Sequence, residues 1–277
     1  MTGSRMRLRF SKHGKVRFTS HRDVARIWER SLRRAGVPVV YSAGFSPRPK
    51  IAFGLALPTG YSSDAEYLDI EIDPVWAAGI DNETLVGALT ASLPTGMTAL
   101  AAAGIAPGEP SLQQAVTSCT WRVDAAGADA REASDAVSRA MDGGELLAQR
   151  ERKGRLTIDN IGPGVHAVEV QGNITDGVRL VVDLATQPRA VRPAELLASL
   201  HPPLSLLRAC RLHQWITTDA GERFEPLTVT QSGDRHEPLT VTESGRSHEP
   251  LTVAESGDRH EPLTVTEMSV TGAGVAS

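Results

Sequence analysis

Residues 6–36 read MRLRFSKHGKVRFTSHRDVARIWERSLRRAG. Polar and apolar residues alternate in Arg7-Leu8-Arg9-Phe10 and again in Lys15-Val16-Arg17-Phe18. A strand with one buried face has this period of two. We therefore predict two strand segments, or one strand interrupted near His13, with the apolar side chains packed inward and the basic side chains facing out.

A helix is predicted directly after these segments. Ser20 is a favourable N-cap, and the acidic Asp23 lies in the first turn, close to the free backbone amides. From Val24 to Ala35 the apolar residues recur every three or four positions, which indicates a helix packed on a sheet. The same spacing gives the helix a basic stripe: Arg22, Arg26, Arg30 and Arg33. Like charges at this spacing repel weakly, so the stripe is either an ordinary solvated face or a binding surface.

A stiff basic loop is predicted after this helix. Pro47 and Pro49 restrict the backbone on both sides of Arg48, so Arg48 and Lys50 are displayed at a low cost in conformational entropy. The alternative is that the two prolines only shape a turn between strands.

The order of the motifs in this region resembles the radical-SAM-associated family of unknown function. The resemblance covers about residues 6–217 and is carried by SHRD (20–23), RRAG (33–36), YSAGFSPRPK (41–50), LPTG (57–60) and EYLD (66–69). Members of that family occur as separate chains or as the C-terminal part of radical-SAM proteins. A radical-SAM enzyme needs three closely spaced cysteines for its iron–sulfur cluster, and this chain has only Cys119 and Cys210. The resemblance therefore implies a partner of a separate radical-SAM protein.

The second half of the chain repeats the order strand, helix, two strands, helix, strand. We predict an α+β fold of two tandem ferredoxin-like (βαββαβ) modules with antiparallel sheets, a basic module at 6–106 and a second module at 116–218. Residues 219–277 contain a polar unit that repeats every twelve residues, marked by Pro226, Pro238, Pro250 and Pro262. Each unit has too few apolar residues to offset the entropy of ordering, which predicts a disordered tail.

Other classes of protein fit the sequence poorly. No run approaches the roughly 20 apolar residues that span a bilayer, and the N-terminus has no apolar signal core, so we expect a cytoplasmic protein without a membrane partner. The two cysteines are too far apart for a metal knuckle, and both fall at alternating apolar positions of predicted strands. We predict no cofactor and no metal site.

The distribution of charge points to a polyanionic partner. Residues 1–50 hold 13 Lys and Arg against two acids, a charge of +11, and since the whole chain carries −4, the remainder carries −15. We predict a non-catalytic module that binds RNA or presents a substrate. Its candidate interface consists of eight residues: Arg22, Arg26, Arg30, Arg33, Tyr41, Phe45, Arg48 and Lys50.

Two other functions stay open. One is RNA cleavage with His13 or His21 as general base, although the sequence contains no recognised catalytic motif. The other is a scaffold that docks an acidic protein partner.

Overall fold

Nine strands form one mixed sheet that runs through both predicted halves of the chain. The computed structural model describes residues 3–143, 145–152 and 154–227, all of which belong to one compact unit, Met1–Ser232. Residues 228–277 of the predicted disordered tail lie outside the described residues. The prediction of a mixed α+β fold is confirmed. Within the described residues, no helix has the length and apolar composition needed to cross a membrane.

The first half contains three α-helices and four strands. Its elements in chain order are β1 (Ser4–Lys12), a 3₁₀ helix (Gly14–Phe18), α1 (His21–Arg34), β2 (Ile51–Phe53), β3 (Ser62–Ile72), α2 (Pro74–Gly79), α3 (Asn82–Ser92) and β4 (Met97–Gly104). The strands lie in the order β4-β1-β3-β2, and each neighbouring pair is antiparallel. In the core, the rings of Phe10 and Trp28 meet edge to face with centroids 4.9 Å apart.

The second half repeats the strand order of the first. Its elements are α4 (Leu112–Ala115), β5 (Ser118–Ala126), α5 (Ala130–Asp142), β6 (Leu147–Arg152), β7 (Arg155–Asn160), a 3₁₀ helix (Gly162–Gly164), β8 (Val165–Ile174), β9 (Gly177–Ala185), α6 (Pro193–Ser199), β10 (Ser205–Thr217) and β11 (Arg223–Phe224). The strands lie in the order β10-β5-β9-β8, all antiparallel, while β6 and β7 form a separate hairpin. A second core packs beneath this part of the sheet.

The two halves meet where β3 lies beside β10. This is the parallel contact of the sheet, and its register pairs Cys210 with Ser62 and Arg211 with Ser63. The Arg211 guanidinium also donates to a Glu66 carboxylate oxygen at 2.9 Å, and both side chains are buried. The halves are thus joined by backbone pairing and by a buried ion pair.

The predicted orientation of the β1 arginines is wrong. Arg7 and Arg9 are 3% and 7% exposed, because the face of β1 opposite the apolar core is covered rather than open to water. Arg7 donates to both carboxylate oxygens of Asp69, at 2.8 and 3.1 Å, and Arg9 donates to Glu225 at 2.7 Å. Much of the positive charge in this stretch therefore neutralises acids of the same chain.

One further local prediction is wrong, whereas α1 begins and ends near the predicted residues. The stretch predicted as a second strand segment, 15–18, lies in the 3₁₀ helix, and Phe18 is 60% exposed rather than buried. After α1, the segment 38–41 forms two isolated bridges, Val39 with Ile72 and Tyr41 with Pro49.

Candidate nucleic-acid interface

The arginine stripe of α1 lies opposite the buried face of the helix. Ser20 caps the helix, since its hydroxyl accepts a hydrogen bond from the Asp23 amide at 3.2 Å. At about 100° of rotation per residue, the four arginines of the stripe fall within about 80° of arc. The buried side chains of α1 occupy the far side: Val24, Trp28, Ser31 and Leu32. All four arginines are exposed, so one helix surface presents four guanidinium groups to solvent.

The loop from Tyr41 to Lys50 is held closed at its base. The Ser42 amide donates to the Arg48 carbonyl at 2.8 Å, and the Arg48 amide donates to the Ser42 hydroxyl at 3.0 Å. Phe45 is fully exposed at the tip, and Tyr41 is 49% exposed. Phe45 and about half of Tyr41 therefore present aromatic surface to solvent, where a nucleobase can stack.

A small cavity connects the loop with the C-terminal part of α1. Its volume is about 130 Å³, and its lining includes Glu29 and Arg33 from the helix and Tyr41 and Pro49 from the loop. The cavity thus brings Arg33 of the helix close to Tyr41 at the base of the loop. We call the eight residues of the candidate interface the basic face.

Carboxylates neutralise only part of the basic face. Arg26 lies 3.3 Å from Asp23, and Lys50 lies 2.8 Å from Glu71. The hydrogen bond from Lys50 is the main cause that lowers the pKa of Glu71. In the described part of the chain, no carboxylate oxygen lies within 4.0 Å of the other four cations: Arg22, Arg30, Arg33 and Arg48.

The two candidate histidines lie in separate surroundings. The His13 Nε2 is 2.7 Å from an Asp64 carboxylate oxygen. His21, the first residue of α1, packs edge to face on Phe53 with ring centroids 5.3 Å apart. The two imidazoles thus have different partners and do not form a paired acid and base.

The structure also contains a larger cavity that sequence patterns do not indicate. Its volume is about 340 Å³, and it lies between the segment Leu55–Pro58 of the first half and the residues of the second half around Trp121 and Arg192. The Arg211 guanidinium lies 4.8 Å from the centroid of the Trp121 ring. No local pattern in the sequence predicts this cavity, because its lining residues come from segments that are far apart in the chain.

Comparison with known proteins gives a family match and distant structural similarities. No curated protein matches the chain. Among solved structures, a chain of "Crystal Structure of a Cbf5-Nop10-Gar1 Complex" is similar with a TM-score of 0.39 and 11% sequence identity. The similarity covers 76% of this chain and 48% of that chain, so this protein spans about half of its length. A similarity this distant supports no functional conclusion.

The family match covers most of the part of the chain that the structure describes. The family is described as "Uncharacterized protein conserved in bacteria (DUF2344)", and it matches residues 5–193. Because this match extends over more than half of the 277 residues, the protein belongs to this bacterial family.

Proposed function

We propose that the protein is a non-catalytic RNA-binding module whose contact surface is the basic face. The observation that carries the proposal is the arginine stripe of α1, which is exposed on the side of the helix opposite the core. Among the described residues, Arg26 alone of the stripe lies within 4.0 Å of a carboxylate oxygen. Four guanidinium groups at one helix surface repel one another in the free protein. Phosphate groups relieve that repulsion and release condensed counterions.

Single-stranded RNA fits this surface better than a duplex does. The exposed rings of Tyr41 and Phe45 offer stacking planes beside the cations, and unpaired bases are the ones free to stack on aromatic side chains. We infer that phosphates contact the α1 stripe, Arg48 and Lys50, while one or two bases stack on the loop.

The proposal also includes the type of each module and the protein partner. The strand orders β4-β1-β3-β2 and β10-β5-β9-β8 are the order expected of two ferredoxin-like modules, over 6–106 and 116–218. We further propose that the protein acts in the cytoplasm and presents its RNA, or another substrate, to a separate radical-SAM protein. Co-purification of such a protein with the full chain tests this last step.

Charge reversal on α1 tests the proposal directly. In Arg26→Glu/Arg30→Glu, two cations of the stripe become anions. The matched control is Arg131→Glu/Arg139→Glu, which makes the same change of charge at exposed positions of another helix, α5. We expect the first variant to lose at least about tenfold in affinity for a short single-stranded RNA measured by fluorescence anisotropy, because each lost phosphate contact is worth roughly 1 kcal/mol or more. The control should bind as the wild type does.

The same protein samples distinguish RNA binding from the two alternatives, RNA cleavage and docking of an acidic protein partner. Equal losses in both double variants would mean that net charge alone drives binding and would remove the basic face as the site. RNA cleavage that disappears in His21→Ala or His13→Ala would instead indicate an enzyme. If the wild type does not bind RNA, the scaffold function remains, with an acidic protein as the partner.

A further inference from the structure

Three side chains with different metal-binding donors converge at the junction of the two halves. The donor atoms of His13, Asp64 and Cys210 all lie within 4.8 Å of one another. The His13 Nε2 is 2.7 Å from one Asp64 carboxylate oxygen, and the Cys210 Sγ is 3.6 Å from the other. Asp64 therefore lies between an imidazole and a thiol and contacts each with a different oxygen.

Strand register explains why these residues meet. β3 has β1 on one side and β10 on the other, and Ser63 is paired with Lys12 of β1 and with Arg211 of β10. His13 and Cys210 are each one residue away from those paired positions. Side chains alternate between the two faces of a sheet, so the side chains of His13, Asp64 and Cys210 lie on the face opposite to Ser63.

The surroundings of Cys210 differ from those of the other cysteine. Cys119 belongs to the apolar core of the second half. The Cys210 thiol instead points toward the Asp64 carboxylate, and the side chains of His13 and Asp64 are 41% and 44% exposed. The His13 backbone is held in place because its amide donates to the Gly96 carbonyl at 2.7 Å. The cluster is thus anchored on one side and open to solutes on the other.

We propose that His13, Asp64 and Cys210 bind one zinc ion. Imidazole nitrogen, carboxylate oxygen and thiolate sulfur are the donors that Zn²⁺ takes in proteins, and three protein ligands leave a fourth position open for water or a substrate. A tetrahedral site with bonds of about 2.0–2.3 Å needs donors about 3.3–3.7 Å apart. The imidazole and the carboxylate therefore move apart by about 0.6 Å when the ion enters. The thiol loses its proton to the solvent as the sulfur–zinc bond forms.

A bound ion would link the two halves of the sheet. His13 follows β1 and Asp64 lies in β3, both in the first half, whereas Cys210 lies in β10 of the second half. The parallel contact of β3 with β10 has only two paired positions in its register. A ligand that binds only the folded protein stabilises it by mass action, so zinc should raise the thermal midpoint. This proposal does not depend on RNA binding.

Cobalt substitution tests the site. We expect the metal-free full-length protein to bind Co²⁺ with one-to-one stoichiometry and to develop the near-ultraviolet absorption of a sulfur–cobalt bond, which added Zn²⁺ removes. In Cys210→Ser that absorption should vanish, and in His13→Ala and Asp64→Asn the Co²⁺ affinity should fall by more than about 100-fold. Cys119→Ser is the matched control and should keep the absorption. The histidines of the repeat tail, such as His236, give no sulfur signal.

Two results would overturn the proposal. One is Co²⁺ binding without the sulfur band in the wild type, which would assign the metal to other histidines or carboxylates. The other is an unchanged band in Cys210→Ser. Circular dichroism of each variant shows whether it is folded, and His13→Ala changes a half-exposed side chain, so that variant keeps the proposal testable if Cys210→Ser does not fold.

Discussion

Removal of the Asp69 carboxylate tests the finding that the β1 arginines are structural. Asp69 is 5% exposed and accepts hydrogen bonds from Arg7 Nε at 2.8 Å and from one terminal nitrogen each of Arg7 and Arg5 at 3.1 Å. Arg5 is partly exposed and can turn to water, but the Arg7 side chain is 3% exposed. In Asp69→Asn the Arg7 guanidinium is therefore left buried without its nearest carboxylate.

The expected loss of stability is large. Breaking a buried ion pair by removing one partner costs about 3–5 kcal/mol. Arg7 also lies 3.6 Å from a Glu109 carboxylate oxygen and donates to the Pro226 carbonyl at 3.5 Å. Since these weaker contacts remain, we expect a loss of about 3 kcal/mol in the free energy of unfolding. For a unit of this size that corresponds to a decrease of about 6–12 °C in the thermal midpoint.

Urea denaturation followed by far-ultraviolet circular dichroism measures this loss. The control is Asp23→Asn, because the Asp23 ion pair with Arg26 is more than half exposed on both sides, and its removal should lower the midpoint much less than Asp69→Asn does. The double variant Arg7→Met/Asp69→Leu removes both buried charges and should recover most of the stability. A loss below about 1 kcal/mol in Asp69→Asn would show that Arg7 reaches water and would refute the reasoning.

Three further outcomes follow from individual side chains. Trp28→Ala should lower the free energy of unfolding by about 3–5 kcal/mol in urea titrations, because the ring is fully buried. Phe45→Ala should weaken binding to single-stranded RNA by about 1–3 kcal/mol in anisotropy titrations and leave the thermal midpoint unchanged, because the ring contacts no core residue. The hydrogen bond from Arg179 lowers the pKa of Asp124, so ionised Asp124 stabilises the fold above its unfolded-state pKa and this stabilisation is lost as the pH falls through the folded-state pKa. Asp124→Asn should therefore flatten the acid-side decline of the thermal midpoint, whereas Asp135→Asn, at an exposed position of α5, should not.

Local patterns in the sequence are sufficient to predict α1 and its arginine stripe. The Ser20 cap, the spacing of the apolar residues from Val24 onward and the stop at Gly36 all act within a few residues. A strand also forms over residues 7–10, where the alternation predicts one. These elements depend on contacts between near neighbours, which a single sequence contains.

The surroundings of β1 and the convergence of His13, Asp64 and Cys210 could not be predicted in this way. Arg9 meets Glu225 across 216 residues of sequence, and Cys210 meets Asp64 across 146. Alternation shows that Arg9 faces away from the core, but not that the segment around Glu225 covers it. Only the tertiary arrangement determines whether an outward arginine contacts water, a carboxylate or a phosphate.

The dependence of RNA affinity on salt tests the central claim most directly. For single strands, the logarithm of the binding constant falls by about 0.7 per phosphate contact for each tenfold rise in salt. Four to six contacts on the basic face predict a slope of about −3 to −4 for the wild type, and Arg26→Glu/Arg30→Glu should make it shallower by about 1.4 or more. A slope near zero, or the same slope in the wild type and this variant, would contradict the assignment of the basic face as an RNA-binding surface.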